Sequence, residues 1–290
     1  MSSSTPKTAL KKWIHVTGLV ILASASLMAT GPRITAVMFA ETKNEIVAVE
    51  APPLYSMQRS DGGLIFELVS AALKVQKETA TLTTYPIRKM ADYYLRQEKV
   101  LGALGRSQNF SAEDKKGQIV FPVCRVHEHY FYYKPLHPKG IVWKGSLSDL
   151  KGLRYGGREE EDTSAYEKAG IKIERGRSLE LFQKLKAGNV DFIKEPELSA
   201  KVLIESNFKA DKNQFVIMEP MPEESTALII FNMKNPDAKA ISKKFREGMS
   251  TILENGQYQS IIEKYEGRNE ISAEHIKQFK TLWKKELLKK

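Results

Sequence analysis

Hydrophobic and polar positions switch between two periods along the chain from residue 45 onward. Some apolar residues follow one another in short runs typical of buried strands, and others recur every three to four residues, as on one helix face. Leu64, Leu68, Ala72 and Val75 share such a face. The pattern predicts strand 45–50, helix 62–76, strand 79–85, helix 87–99 and strand 100–105. This β-α-β-α-β order indicates a mostly parallel sheet covered by helices.

The same alternation begins again after residue 150. It predicts strand 153–157, helix 163–170, strand 171–176, helix 178–188, strand 190–193 and helix 196–207. Two long β-rich stretches, 119–135 and 215–232, lead from the first α/β unit to the second and back. Two α/β units joined by two extended crossings are typical of lobes that move about a hinge.

Polar residues follow the last strand of each unit. Gly105–Ser107 follows one buried strand, and Lys194–Glu197 follows another. In open α/β sheets, ligands bind at the carboxyl ends of the strands. We therefore expect these two segments to form opposite walls of one ligand cleft.

The first forty residues differ from the rest of the chain. Three lysines precede the apolar run WIHVTGLVILASASLMA (13–29), and the first acidic residue is Glu41. A basic start, an apolar run and small residues predict a secretory signal peptide over residues 1–40. A retained N-terminal anchor is the alternative, because 17 mostly apolar residues approach the length that spans a bilayer.

Charge does not indicate a nucleic-acid partner. The net charge of +10 includes four basic residues within the first forty, and residues 268–290 carry seven basic and three acidic residues. The remaining body is nearly neutral and has no concentrated basic face. The tail 268–290 has helical apolar spacing, which fits a helix packed on the body or, alternatively, a helix on a membrane surface.

No catalytic or cofactor motif stands out. The single cysteine, Cys124, excludes an intramolecular disulfide and lies among apolar residues as a buried thiol does. His127 and His129 could share one strand face, but two histidines do not make a zinc site. The chain has no G-x-S-x-G, phosphate-loop or H-E-x-x-H motif. We expect no metal, no cofactor and no enzymatic activity.

Several segments together resemble the family-3 extracellular solute-binding proteins, which have the type II periplasmic binding fold and serve ABC importers. The resemblance covers about residues 44–267, in the order APPLYS, DGGLIFELVSAAL, YPIRKMADYYLRQEKVLGALGRS, SLSDLKGLRYGG, FQKLKAGNVDFI and FREGMSTILENGQYQSIIEKYEG. It implies an α/β protein of two lobes, each a mixed sheet flanked by helices. The implied boundaries are lobe 1 at 41–134 plus 225–267, lobe 2 at 138–222, and a helical tail at 268–290.

The resemblance also implies where a solute would bind. Amino-acid binders of the family hold the ligand carboxylate with an arginine, whose position here falls on Asp114 or Lys115. Neither offers the planar two-pronged contact of an arginine, although Arg106 is close enough in sequence to substitute. The family's amine-binding aspartate falls near Pro196, beside Glu195. The missing arginine therefore argues against the binding of an ordinary α-amino acid.

A polar loop follows the first strand of the second unit. The resemblance implies that Thr163 and Ser164 cap a helix there and leave backbone N–H groups for an anion. Four acidic residues at 159–162 precede them. These acids favour a cationic or amine-bearing solute, or else they form a solvated loop that stabilises the helix start.

Aromatic residues at strand ends could contact the solute. Tyr55 follows the first strand, where family members place a ring against the ligand, and Tyr85 and Arg88 lie at the end of the next strand. With Arg106, Ser107, Lys115, Thr163, Ser164 and Glu195, they complete the predicted ligand-binding set. The aromatic run 130–133 fits core packing better.

These observations predict a monomeric periplasmic protein that captures a small polar solute, such as an amino acid, an amine or a related compound, by hinge closure. It would deliver the solute to an ABC permease and contact the membrane only through its N-terminal segment or a partner. A membrane-tethered sensory module is the first alternative, and a dehydratase-like enzyme on the same fold is the second.

Overall fold

The first β-strand lies where the sequence predicts a short buried apolar run. In the computed structural model, which describes residues 44–86, 89, 93, 95, 98–159, 161–267 and 270–288, strand β1 spans Glu45–Val49. Ile46, Val47 and Ala48 in this strand are fully buried, because elements pack on both faces of the sheet. The signal-peptide prediction for residues 1–40 and the predicted solute contact of Arg88 lie outside the described residues.

Eight described strands form one sheet in the order β2-β1-β3-β8-β4-β7-β5-β6. The remaining strands are β2 (Thr81–Tyr85), β3 (Val100–Arg106), β4 (Ile119–Tyr133), β5 (Arg154–Arg158), β6 (Lys172–Gly176), β7 (Phe192–Pro196) and β8 (Phe215–Phe231). Pairs β1–β2, β1–β3, β5–β6 and β5–β7 are parallel, and β3–β8, β4–β7 and β4–β8 are antiparallel.

The two predicted β-rich crossings become the long strands β4 and β8. They pair with each other from Ile119 opposite Phe231 to Tyr133 opposite Phe215, with register shifts near Pro122 and Glu128. One end of this ribbon pairs with β3, and the other pairs with β7. The ribbon therefore divides the sheet into a first half, around β1–β3, and a second half, around β5–β7.

Strand β7 extends further than the sequence pattern predicts. The apolar run ends at Ile193, but the strand continues through Lys194 and Glu195 because these residues pair with Tyr130 and His129 of β4. The polar residues expected in a loop after the strand are thus held in the sheet itself.

Helices cover the sheet. The α-helices whose bounds the structure describes are α1 (Leu64–Val75), α2 (Ala112–Lys115), α3 (Ser164–Lys168), α4 (Ser178–Ala187), α5 (Glu197–Asn207), α6 (Ala238–Glu254), α7 (Gln257–Glu266) and α8 (Glu270–Leu287). Leu64, Leu68 and Ala72 of α1 are buried as predicted, whereas Val75 at its end is exposed. Among the described helices, none is long and apolar enough to cross a membrane.

Each half has its own hydrophobic core. The first is built mainly from β1, α1, α6, α7 and α8, and Phe279 of α8 stacks on Tyr258 at 4.9 Å between ring centroids. The second lies around α4, β7 and the aromatic residues of β4. In that half Tyr155 stacks on Tyr166 with centroids 4.1 Å apart.

The C-terminal helix α8 is part of the first core. Ile276, Phe279 and Trp283 lie on one face of the helix and are buried, and the Trp283 indole nitrogen donates a hydrogen bond to the Ser250 hydroxyl at 3.0 Å. The apolar face of α8 is therefore covered by the body of the protein.

Candidate functional site

Arg106 lies at the carboxyl end of β3, where the sequence predicts one wall of a cleft. Its backbone is fixed by antiparallel pairing with Ala227 of β8, and its side chain is 9% exposed. The guanidinium forms an ion pair with the carboxylate of Glu128, which is fully buried in β4. A buried charge is stable only when another charge or several hydrogen bonds compensate it.

Further polar groups surround the carboxylate of Glu128. The Gln108 side-chain amide donates to its Oε2 at 3.0 Å, and the Lys194 Nζ lies 3.9 Å from the same oxygen. Lys194 belongs to β7 and also lies 3.8 Å from Oε1 of Glu161. Charges from the first half, the β4 crossing and the second half thus meet in one place.

A second ion pair, between a partly exposed arginine and a buried carboxylate, lies at the carboxyl ends of β5 and β7. The Arg158 Nη2 is 2.7 Å from Oε1 of Glu195, and the Ser178 hydroxyl contacts both oxygens of this carboxylate at 3.2 Å. Glu195 is only 5% exposed. Strands β5 and β7 are parallel, which is why their terminal side chains lie side by side.

Glu161, in the predicted acidic loop, points inward. Its carboxylate accepts hydrogen bonds from the Tyr155 hydroxyl at 2.9 and 3.1 Å and from the Arg158 backbone N–H at 3.0 Å. Burial and the charge of Glu161 raise the pKa of Tyr155 well above its ordinary value. The hydroxyl therefore remains protonated and acts as a donor to this carboxylate.

Arg106 and Glu195 belong to the same electrostatic environment. Burial lowers the pKa of Arg106 to about 10, and the positive charge of Arg158 acts in the same direction, whereas Tyr55, Glu195 and Glu161 oppose it. Burial also acts to lower the pKa of Arg158, but Glu195 outweighs it and raises that pKa. We call the charged group the central ion network; it consists of Arg106, Glu128, Arg158, Glu161, Lys194 and Glu195.

The remaining predicted residues of the first half lie near β3 or its neighbours. Tyr55 is buried at 4% exposure, and Tyr85 packs against the core formed by Val47 and Val100. Ser107 begins a short 3-10 turn, and the Lys115 Nζ donates to its carbonyl oxygen at 3.1 Å.

The structure corrects the expected helix cap in the second half. The Thr163 hydroxyl donates to Glu167 at 3.0 Å and accepts from Arg175 at 2.7 Å, so it does not cap α3. The backbone N–H of Ser164 donates to Asp162 at 3.0 Å. A carboxylate of the chain thus takes the place expected for a bound anion.

His127 and His129 both contact side chains of the protein. His129 Nε2 lies 3.3 Å from Oε2 of Glu197, and this contact lowers the pKa of Glu197. The ring of His127 lies 5.3 Å from that of His275 in α8. Within the part of the chain that the structure describes, no group of three or more His, Cys, Asp or Glu side chains could hold a metal ion.

A cavity of about 80 Å³ lies beside the β4 crossing. Its walls include Leu54, Val126, Pro196 and Tyr265 from both halves. Pockets for small molecules usually measure about 300–1,000 Å³. A pocket of that volume would form here only if the two halves moved apart.

Four members of the network, Glu128, Arg158, Glu161 and Lys194, are absent from the predicted ligand-binding set. The sequence could have indicated Glu128, because a carboxylate within a mostly apolar strand needs a buried partner. Lys194 lies in a predicted cleft wall, Glu161 lies in the predicted acidic loop and Arg158 adjoins that loop, but the distances to their partners depend on the order of strands in the sheet.

Comparisons with known proteins find similarity to solved structures. No protein-family model and no curated protein sequence matches the chain. The GluR0 ligand-binding core from Nostoc punctiforme in complex with L-glutamate is similar, with a TM-score of 0.60 and 16% identity over 78% of this chain and 100% of that one.

Two further solved structures show the same likeness. A histidine kinase sensor domain with similarity to periplasmic binding proteins has a TM-score of 0.61 and 16% identity, covering 77% of this chain and 95% of that one. The substrate-binding protein of an amino acid ABC transporter has a TM-score of 0.57 and 15% identity, covering 77% of this chain and 98% of that one.

At these identities the likenesses show the fold. The predicted fold, a two-lobed α/β fold of the type II periplasmic binding proteins, is confirmed. The order of the sheet agrees with it, because two lobes are connected through the β4–β8 ribbon.

Proposed function

We propose that the protein is an extracytoplasmic solute-binding protein of family 3, which encloses a small polar solute at the central ion network. The observation that carries this proposal is the convergence of Arg106, Arg158 and Glu195 at the carboxyl ends of β3, β5 and β7. That edge of an open α/β sheet is where ligands bind.

In the proposed binding step, the two halves close on the solute by moving about the β4–β8 ribbon. Arg106 belongs to the first half and Glu195 to the second, and both are buried. A solute could reach them only when the halves separate, and it would favour the closed state only if it contacts both. The proposed lobes are 41–134 plus 225–267 and 138–222, followed by the tail 268–290, whose helix α8 packs on the first.

A thermal-shift screen followed by X-ray scattering tests this function. A solute that binds only the folded protein raises its melting temperature by mass action, so amines, polyamines, opines, amino acids and small organic acids should be screened. We expect at least one compound to raise the melting temperature and to decrease the radius of gyration. Stabilisation without compaction would contradict hinge closure.

Delivery to an ABC permease is the role that we favour for a monomeric periplasmic form. One similar structure is the substrate-binding protein of an amino acid ABC transporter, which supports this role. Recovery of the unchanged compound after incubation would support a carrier, whereas turnover would support an enzyme. If the protein is such a carrier, the purified protein should elute as a monomer in size-exclusion chromatography.

A sensory module is the second candidate, because a histidine kinase sensor domain is also among the similar structures. The two roles differ in the fate of residues 13–29. Protein isolated from native membranes should begin near Glu41 if it is a free carrier. Retention of the apolar segment would favour a tethered sensor.

A further inference from the structure

Glu128 has an unusual position for a carboxylate. It lies on β4, the strand that connects the two halves, and its side chain is fully buried. Its pairing partner across the ladder is Pro196 at the end of β7, so it is close to the strand ends that bear Lys194 and Glu195. The carboxylate therefore lies inside the proposed cleft.

The partners of Glu128 are those that a bound carboxylate would require. Arg106 supplies a guanidinium, Gln108 an amide N–H at 3.0 Å, and Lys194 an ammonium at 3.9 Å. A guanidinium and an amide together are typical ligands of carboxylates. In this chain they are already occupied by a side chain.

We propose that Glu128 is a built-in carboxylate which fills the anion site of the cleft and thereby restricts the protein to polar solutes without an anionic group. This inference rests on the proposed function, since it names the class of solute that the same cleft accepts. It makes Glu128 a residue that determines specificity.

Charge balance explains the exclusion of anions. The central ion network contains three cationic and three anionic side chains among the described residues. An anionic solute would have to compete with Glu128 for Arg106, and the displaced carboxylate would remain buried without its partner. A neutral or amine-bearing solute leaves the Arg106–Glu128 pair intact.

Two charge-balanced double variants test the inference. Glu128→Gln with Lys194→Met removes the carboxylate and keeps Arg106, whereas Glu128→Gln with Arg106→Gln removes the carboxylate and the guanidinium together. Each loses one negative and one positive charge, so both keep the net charge of the network at zero, whereas the single variant Glu128→Gln would leave an excess positive charge. They differ in whether an arginine remains to bind an anion.

The readout is the melting temperature during titration with sodium acetate or sodium formate, compared with sodium chloride at equal ionic strength. The variant that keeps Arg106 should show saturable stabilisation, with a half-saturating acetate concentration at least tenfold lower than that of the wild type. The variant that lacks Arg106 should respond as the wild type does. Equal responses in the two folded variants, or an equally strong response in the wild type, would overturn the inference.

The outcomes separate this inference from the proposed function, because the acetate titration does not depend on knowing the solute. A wild type that closes on a carboxylate-bearing compound through Arg106 would overturn the inference and support solute binding. A wild type that binds none of the screened compounds, beside a variant that responds to acetate through Arg106, would count against the proposed function and support the carboxylate role of Glu128.

Discussion

Single residues show how this fold keeps charges inside the sheet. Glu128, Arg106 and Glu195 are buried, Arg158 is partly exposed, and each has an oppositely charged partner. Removing one partner of such a pair is costly because the other remains buried and uncompensated. The network therefore stabilises the structure only as long as its members remain together.

The carboxylate of Asp191 provides a test of pH dependence. Burial acts to raise its pKa, but hydrogen bonds from the Arg154 backbone and side chain at 2.8–3.0 Å outweigh it and lower the pKa below 3.8. A lowered pKa in the folded state means that the stabilisation is present above pH 3.8 and is lost as the pH falls through the folded-state value.

We expect the free energy of unfolding of the wild type to exceed that of Asp191→Asn between pH 5 and 8, and this excess to shrink below about pH 4. Urea denaturation across this pH range measures both. Asp237→Asn, which changes a carboxylate elsewhere on the surface, provides a control for general charge effects. A difference that stays constant down to pH 2 would contradict the pairing.

Sequence reasoning at the residue scale reached Arg106 and Glu195 because strand ends can be recognised from hydrophobic patterns. It did not reach the pairing of Arg106 with Glu128, which are joined through the β3-β8-β4 order of the sheet. Strand order depends on contacts between distant segments, and local patterns carry little information about it.

Elements pack closely where helix α6 crosses helix α1. A Cβ atom added to Gly248 would lie 1.8 Å from the carbonyl oxygen of Ala72, which is backbone and cannot rotate away. Both helices belong to the first core. Their distance is therefore set by the absence of a side chain at this position.

Gly248→Ala should lower the free energy of unfolding by about 1–3 kcal/mol or more, because the added methyl group forces the helices apart. The gain in helix propensity from alanine, about 1 kcal/mol, opposes only part of this loss. Equilibrium unfolding in urea is the measurement, and Thr251→Ala on the exposed face of α6 is the control. An unchanged or increased stability would show that the helices can adjust.

Helix α8 offers a second test at this scale. Trp283 contacts Phe121 and Phe245, with ring centroids at 5.9 and 6.4 Å. Trp283→Ala should destabilise the protein by about 3–5 kcal/mol, as large-to-small changes in a core do. The exposed Lys280→Ala should change the unfolding midpoint in urea very little.

If Trp283→Ala costs less than about 1 kcal/mol, α8 does not form part of the core in solution, and the alternative of a membrane-surface helix gains support. The apolar spacing of the tail could predict the helix itself. It could not decide what covers the apolar face, since a protein core and a membrane require the same pattern.

At the scale of the whole molecule, the proposed binding step brings two halves together around a solute. The solute must interact with both if its binding energy is to favour closure. Arg106→Ala and Glu195→Ala should therefore each weaken the affinity for a solute found in the screen by more than tenfold, about 1.4 kcal/mol. Isothermal titration calorimetry measures this, and Lys277→Ala on α8 should bind as the wild type does.

If both variants retained the wild-type affinity, the central ion network would not be the binding site. If they unfolded, the charge-balanced double variant Arg158→Met with Glu195→Met would still allow the test, because it removes both members of an ion pair.

The two-lobed architecture could be predicted from the repeated α/β pattern and the two crossings. The closed, self-paired cleft could not, because it depends on contacts between the lobes.

The β4–β8 ribbon also determines when the first lobe can complete its folding during synthesis. Strand β8 lies between β3 and β4, but it ends at Phe231, long after Arg106 has been synthesised. At roughly 5–20 residues per second, the nascent first lobe would wait on the order of ten seconds with the edge of β3 unpaired. Unpaired strand edges invite pairing with other chains. A chaperone that shields this edge during biosynthesis would therefore increase the yield of folded protein.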